Sequence, residues 1–229
     1  MASQAPTSVS HQRPPHPPAE ASPLILRIGF WLCILIAIAV VIRRILALAY
    51  SPKSSPAAMA GLDEAFASHA ALTLAHILPA LAFVLVTPFF IFRKSLIPSW
   101  AERLLFPLGL VVGLTAYAMS AFAVGGWIER SAVLLFNSLF LFGLTRAWML
   151  FRRQQAIEAR RWMLRAVVVL LGIATTRPVM GIFFATSRLT HLAPNQFFGL
   201  AFWIGFSINT LVVEWWLRRN PSKPEVHFA

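Results

Sequence analysis

His76 and Arg177 are two ionisable residues deep inside apolar stretches, where a charge is costly and its side chain generally faces the interior of a helix bundle. At 1.5 Å per residue, His76 lies roughly 10 Å and Arg177 roughly 13 Å from the same end of their predicted helices. Pro79 and Pro178 follow closely, and each removes a backbone donor and frees a carbonyl one turn earlier. Such broken helices are tolerated where they line a cavity.

A neutral imidazole and a guanidinium at one depth can bind an anionic or carbonyl head group, such as a quinone, a haem propionate or a lipid phosphate. The sequence therefore predicts a ligand-binding site formed by His76 and Arg177. A structural interpretation stays open beside it. In that case His76 hydrogen-bonds a neighbouring helix, and Arg177 extends its side chain toward the lipid head groups.

A second polar group, Arg165, Glu214 and Arg146, lies toward the opposite end of the predicted helices. Arg165 stands near the start of one apolar stretch and Glu214 near the end of the next, so antiparallel neighbours would bring them level. The spacing predicts a charge-assisted ion pair, with Arg146 as a further member. A proton relay through Glu214 would need a deeper titratable partner, and Asn209, roughly 7 Å away along the helix, does not titrate.

The histidines do not predict a haem or metal site. Two haem-ligating histidines must lie at one depth on facing helices. His69 precedes His76 on the same predicted helix, His191 falls in a loop, and the other three histidines lie in the tails. We therefore expect no metal site, while haem and quinone stay open as cofactors of an alternative, redox function.

Catalytic motifs are absent from the sequence: it contains no serine-hydrolase elbow, zinc-protease motif or phosphate-binding loop. Its one aspartate and seven glutamates place no pair of carboxylates on one helix face. We assign no catalytic residue and expect a protein that is not an enzyme.

Composition explains where these side chains must lie. Hydrophobic residues make up 58% of the 229 residues and charged residues 12%, which is about half the charged share of a soluble domain. Six apolar stretches are each long enough for one membrane crossing: 24–49, 69–92, 104–124, 131–151, 162–186 and 197–217. The sequence predicts an all-α integral membrane bundle of six transmembrane helices at 24–219. A disordered Pro-rich tail (1–23) precedes it, and a short tail (220–229) follows.

The first apolar stretch has a second interpretation, because Ala47-Leu48-Ala49 resembles a signal-peptidase site. Cleavage there would leave five spans. The apolar run is longer than that of a signal peptide, and Arg43 and Arg44 separate it from this site, so we expect a retained span.

The net charge of +12 comes mostly from short basic clusters between the apolar stretches. This pattern is typical of helix ends that meet anionic lipids, and not of nucleic-acid binding. Thirteen Lys and Arg lie in the N-terminal tail and after spans two, four and six, against six on the opposite side. The excess predicts that both termini are cytoplasmic. The pair Arg43-Arg44 is discordant.

Gly109 and Gly113 form a small-residue face in the third span, and Ala201 and Gly205 form another in the sixth. Small residues four apart let helices approach closely. We expect packing within the chain, because its own spans are already neighbours. Contact with a second copy or with another membrane protein is the alternative.

Residues 69–218 resemble an uncharacterised prokaryotic family of predicted membrane proteins, domain-of-unknown-function family 2306. The matching pieces are Leu74-Ala75-His76-Ile77-Leu78-Pro79-Ala80, Pro88, Arg161-Trp162-Met163-Leu164-Arg165, Arg177, Asn209 and Glu214-Trp215. The resemblance implies a small multi-helix membrane protein of prokaryotic origin with no established activity, and therefore a location in a bacterial inner membrane.

Two departures from the family pattern concern histidines. The chain has Ser99-Trp100-Ala101-Glu102-Arg103 where the family tends to have a His-Arg pair, and Ala159 where it tends to have a histidine. If those histidines hold a cofactor or metal in relatives, the resemblance implies that this member has lost it.

Three functions therefore stay open. The first is a binding or assembly factor whose His76/Arg177 pocket, in the outer half of the bundle, takes a lipid-like or quinone-like head group. The second is a redox membrane protein that uses haem or quinone. The third is a small transporter, for which Pro79 and Pro178 are the broken-helix signal.

Overall fold

The computed structural model describes residues 23–50, 57–92 and 99–221, which fold into helices and, within these ranges, no strand. The helices are α1 (Pro23–Ala49), α2 (Ala57–Ala67), α3 (Ala70–Phe92), α4 (Ser99–Ser120), α5 (Gly126–Arg152), α6 (Ala156–Leu170), α7 (Gly172–Thr190) and α8 (Pro194–Arg219). In this part of the chain, six lengths of helix can cross a membrane: α1, α3, α4, α5, the pair α6–α7 and α8. The predicted all-α bundle of six spans is confirmed. The predicted tails fall outside the described residues, apart from 23, 220 and 221.

Consecutive spans run in opposite directions, so the bundle has two distinct ends. We call the end where α1 stops and α3 starts the Asp63 end, and the opposite end, where α8 stops, the Glu214 end. Because lipid offers backbone groups no hydrogen-bond partner, each span must pair its own amides and carbonyls as a helix.

Several helices extend beyond their predicted limits. α5 begins at Gly126, five residues before the predicted start of the fourth span, and α6 begins at Ala156, six residues before that of the fifth. Hydropathy detects only the part of a helix that faces hydrocarbon, whereas backbone pairing continues into the polar interface. Gly126, at a φ of 62°, supports the turn before α5, since glycine adopts positive φ without steric cost.

α2 was not predicted, and it explains the discordant arginines. Its Asp63 is 2% exposed and accepts hydrogen bonds from Arg43 Nη2 at 2.8 Å and Arg44 Nη1 at 2.7 Å. The Arg44 guanidinium also lies 4.0 Å from the centre of the Phe66 ring. One carboxylate thus offsets two basic residues at the Asp63 end and ties α2 to the end of α1.

The most buried parts of the bundle are α5, α6–α7 and α8, with 39%, 39% and 44% of their most apolar windows buried. The corresponding share for α1 is 17%. α1 therefore lies at the periphery and turns most of its side chains outward.

The small-residue faces pack within the chain. A Cβ on Gly109 would lie 2.7 Å from Leu144 Cδ2, and one on Gly113 would clash with the Leu141 side chain, so both glycines pack closely against α5. Gly205 of α8 lies equally close to the backbone of Thr176 in α7.

The fifth span is interrupted for one residue at Leu171, between α6 and α7, although the backbone there stays in the helical region and the Leu171 amide still donates to the Val167 carbonyl at 2.8 Å. Asn209 of α8 bridges the break: its Nδ2 donates to the Val168 carbonyl at 3.0 Å, and its Oδ1 accepts from Thr175 Oγ1 at 2.7 Å. These hydrogen bonds replace part of the lost helical pairing. They fix the orientation of α7, which carries Arg177.

Candidate functional site

A cavity of about 220 Å³ lies in the half of the bundle nearer the Asp63 end. Helices α1 to α8 all contribute to its wall, which is mostly apolar. Its ionisable or amide-bearing residues are Arg44, His69, His76, Glu129, Asn137 and Arg177. The structure thus brings the predicted pair, His76 and Arg177, to the wall of one cavity.

His76 is held by α4. Its Nδ1 lies 3.0 Å from Thr115 Oγ1, and that hydroxyl donates its proton to the Val111 carbonyl at 2.6 Å. While the hydroxyl proton is on that carbonyl, Nδ1 donates to Thr115 Oγ1 and Nε2 of the imidazole keeps its lone pair. His76 makes the interhelical hydrogen bond of the structural interpretation and also lines the cavity.

Arg177 has few protein partners for its five N–H groups. Its Nη1 lies 3.7 Å from Met180 Sδ, a weak acceptor one turn closer to the Asp63 end. Its Nε is buried and has no hydrogen-bond partner. The side chain extends in the direction that snorkelling predicts, yet its donors stay inside the protein. Arg177 lines the cavity, so a ligand oxygen there would accept from the guanidinium nitrogens that face it.

Glu129 is a site residue that the sequence analysis missed. It is 7% exposed, lines the cavity and lies close enough to Arg177 to act on it electrostatically. Its Oε2 accepts a hydrogen bond from the amide of Gly125 at 2.7 Å. The predicted fourth span began at 131, which left Glu129 in a loop. The available signal was the apolar pair Trp127-Ile128 just before it, which lengthens the apolar stretch.

Glycine packing sets the position of Glu129. A Cβ on Gly199 of α8 would lie 2.6 Å from the Glu129 amide, and one on Gly125 would lie 2.7 Å from the Gly199 amide. This close approach fixes the start of α5 against α8.

Asn137 and Arg44 complete the polar part of the wall. Asn137 Nδ2 donates to the Gly113 carbonyl at 2.9 Å, which leaves its Oδ1 as an acceptor. Arg44 is already held by Asp63. Of the two arginines that line the cavity, Arg177 is therefore the one with an N–H group that no protein acceptor satisfies. The side chains around it offer hydrogen-bond acceptors.

At the Glu214 end, Arg165 Nε donates to Glu214 Oε1 at 2.6 Å. Arg146 does not join this ion pair, which corrects the predicted three-residue group. Its guanidinium lies 5.6 Å from the centre of the Trp162 ring, and that of Arg165 lies 4.6 Å from the same ring. The indole attracts both cations through its π face, so Arg146 pairs with Trp162 and not with the carboxylate.

The described residues contain no group of three His, Cys, Asp or Glu side chains suited to a metal ion. His69 stacks on Phe122 with ring centres 3.8 Å apart, and its Nδ1 lies 2.9 Å from Ser68 Oγ. His191 is exposed and ends α7 with a φ of 53°. The histidines of the tails lie outside the described residues.

No protein-family model, curated protein or solved structure matches this chain. The resemblance to family 2306 therefore stays a prediction.

Proposed function

We propose that this multi-pass membrane protein binds the polar head group of a membrane amphiphile, lipid-like or quinone-like, in the cavity lined by His76 and Arg177. The observation that carries the proposal is the Arg177 guanidinium, which stands in the cavity wall with a buried Nε that has no protein partner. A buried donor of this kind is costly unless a ligand or water satisfies it.

The cavity suits one head group and the first part of its chain. Its volume of about 220 Å³ is about seven times the roughly 30 Å³ that a water molecule occupies in the liquid. Polar residues stand beside Leu72, Val84, Phe136 and Phe140 in the same wall. An amphiphile matches this combination, because its head needs the polar groups and its chain needs the apolar ones.

The peripheral position of α1 supports entry from the lipid. Ala37, Val40 and Val41 of α1 form part of the cavity wall, and α1 is the least buried of the spans. When the head group of an amphiphile occupies the cavity, its hydrocarbon tail would leave the bundle along this helix. The surrounding bilayer is then both the source of the ligand and the space for its tail.

We place the chain in a bacterial inner membrane, as the family resemblance implies, with both termini cytoplasmic, as the distribution of charge supports. Arg43 and Arg44, which opposed that orientation, share the buried Asp63. Their joint charge is therefore smaller than a count of basic residues suggests. The Glu214 end carries Arg152, Arg153, Arg218 and Arg219, where anionic lipid of the cytoplasmic leaflet would meet them.

Mass spectrometry of amphiphiles that co-purify with the full chain in detergent tests the proposal. We expect one amphiphile class to be enriched in the parent and to fall about 10- to 100-fold in Arg177→Gln, which removes charge-assisted hydrogen bonds. His76→Gln should lower it less, because Thr115 holds one side of the ring. Arg130→Gln and His191→Asn, both at exposed residues near the Asp63 end, are the matched controls.

Equal retention of this class by the parent and by both cavity variants would overturn the proposal. An absorption spectrum of the same preparation tests the redox alternative, since a bound haem gives a Soret band. A quinone in the extract would identify the quinone-like head group.

Transport is the second function that an observation favours. The interruption at Leu171 and the helix-internal Pro178 both lie in the span that carries Arg177. Leu171 also lines the cavity. Discontinuous helices beside a central site are typical of transporters. Transport predicts flux in proteoliposomes that Arg177→Gln abolishes while the protein still inserts, and no flux in the parent would exclude it.

A further inference from the structure

Three charged residues line the cavity, Arg44, Glu129 and Arg177, and Asp63 joins Arg44 to a further arginine, Arg43. Asp63 engages Arg43 and Arg44 together, and Glu129 is the carboxylate that acts on Arg177. Among these described residues, three guanidiniums and two carboxylates leave one positive charge. In a site of low dielectric, a ligand that cancels this charge is favoured over one that leaves or creates an imbalance.

The hydrogen-bonding groups of the wall impose a second condition. Arg177 offers donors, whereas Glu129, Asn137 Oδ1 and His76 Nε2 offer acceptors. The backbone amide of Gly125 fills one of the roughly four acceptor positions of the Glu129 carboxylate. A head group made only of acceptor oxygens would satisfy Arg177 but would face these acceptors without a proton to donate.

We infer that Glu129 makes the cavity selective for a head group that carries a single negative charge together with hydroxyl donors. An alcohol-bearing phosphodiester has this chemistry: its phosphate oxygens accept from Arg177, and its hydroxyls donate to Glu129 or Asn137. A phosphomonoester, which carries about 1.5 to 2 negative charges at neutral pH, exceeds the charge of the site. This inference rests on the proposed function and adds a residue that selects among head groups.

Glu129 also has a structural task, since it accepts a hydrogen bond from Gly125 at the start of α5. Glu129→Gln separates the two roles. The amide keeps the size of the side chain and an oxygen that can accept from Gly125, but it removes the negative charge. Glu129→Asp keeps the charge on a shorter side chain. Glu64→Gln removes a charge from an exposed residue of α2 beside Asp63 and is the matched control.

The test measures retention of four lipids with identical acyl chains by the full chain in nanodiscs, using native mass spectrometry. Phosphatidylglycerol is a monoanion with hydroxyls, phosphatidylmethanol a monoanion without hydroxyls, phosphatidic acid a phosphomonoester, and diacylglycerol uncharged. We expect the parent to retain phosphatidylglycerol best. In Glu129→Gln the ratio of phosphatidic acid to phosphatidylglycerol should rise about tenfold, because specificity is a difference of affinities and the repelling charge is gone. Glu129→Asp and Glu64→Gln should keep the parent ratio.

The results distinguish a failure of the inference about Glu129 from a failure of the proposed head-group binding. The inference is overturned if Arg177→Gln loses lipid while Glu129→Gln keeps the parent ratio, or if the parent prefers phosphatidic acid or phosphatidylmethanol. It is also overturned if a quinone displaces all four lipids. The proposed function itself fails if retention of all four lipids and of quinone is independent of Arg177. An unchanged melting temperature of Glu129→Gln in detergent shows that the altered ratio is not a consequence of misfolding.

Discussion

Arg44 Nη1 lies 2.7 Å from Asp63 Oδ1, and the Asp63 side chain is 1% exposed while that of Arg44 is 11% exposed. Arg43 approaches the other carboxylate oxygen at 2.8 Å from a more open position. A single carboxylate of a short helix therefore holds two arginines at the end of a transmembrane span. The arrangement holds Arg44 in the wall of the cavity.

Asp63→Asn should destabilise the protein. Removing one member of a buried ion pair typically costs about 3–5 kcal/mol, and the partial exposure of Arg43 reduces this to about 2–3 kcal/mol. We expect the melting temperature in detergent to fall by about 5–10 °C. Glu64→Gln, one position along on an exposed site, is the control and should change it by less than about 2 °C. An Asp63→Asn variant as stable as the parent would show that the carboxylate does not hold α2.

Gly199→Ala should destabilise the bundle through a backbone clash. The new Cβ would lie 2.6 Å from the amide nitrogen of Glu129, and a backbone atom cannot turn away as a flexible side chain can. Overpacking of this kind costs about 1–3 kcal/mol. Thermal unfolding in detergent measures the change, and Gly199→Ala should also weaken lipid retention, because it shifts Glu129.

Gly181→Ala in α7 is the matched control for this substitution. A Cβ at Gly181 meets nothing within 4 Å. Alanine is favoured over glycine inside a helix by about 1 kcal/mol, so this variant should equal or exceed the parent in stability. If the two alanine variants behaved alike, close packing of α8 on α5 would not limit stability.

Hydropathy predicted the membrane spans because a window of apolar side chains reports directly on contact with lipid. The rise per residue then placed His76 and Arg177 at one depth, but it could not predict which side of its helix each residue lies on. The cavity between them depends on those positions, and thus on tertiary packing. Asp63 and Glu129 escaped prediction for a related reason. Acids near the end of a span resemble loop residues in sequence, and only the folded chain shows that they are buried beside arginines.

A double-mutant cycle at the Glu214 end tests the corrected role of Arg146. Arg165 Nε lies 2.6 Å from Glu214 Oε1, and the two side chains are 21% and 35% exposed. Solvent screening limits the coupling of such a pair to about 0.5–1 kcal/mol. Variants Arg165→Gln and Glu214→Gln should therefore show non-additive unfolding free energies. The cycle of Arg146→Gln with Glu214→Gln should be additive, and a coupling as large as that of Arg165 would restore the three-residue group.

Cys33 of α1 provides a way to fix the peripheral helix to the bundle. It is the sole cysteine of the chain, and its Sγ lies 4.0 Å from Thr175 Oγ1 of α7. In Thr175→Cys the two sulfurs should be close enough to form a disulfide under mild oxidation after a small adjustment of α1. A loss of two hydrogen masses in the intact protein reports the bond.

The disulfide should slow exchange of the bound amphiphile. If ligands enter along α1, holding this helix against α7 raises the barrier to opening without removing any group that binds the head. We expect lipid exchange between nanodiscs to slow at least about tenfold in the oxidised variant, which corresponds to about 1.4 kcal/mol of barrier. Reduction of the same sample should restore the parent rate and is the matched control. Equal exchange rates before and after reduction would exclude α1 as the gate.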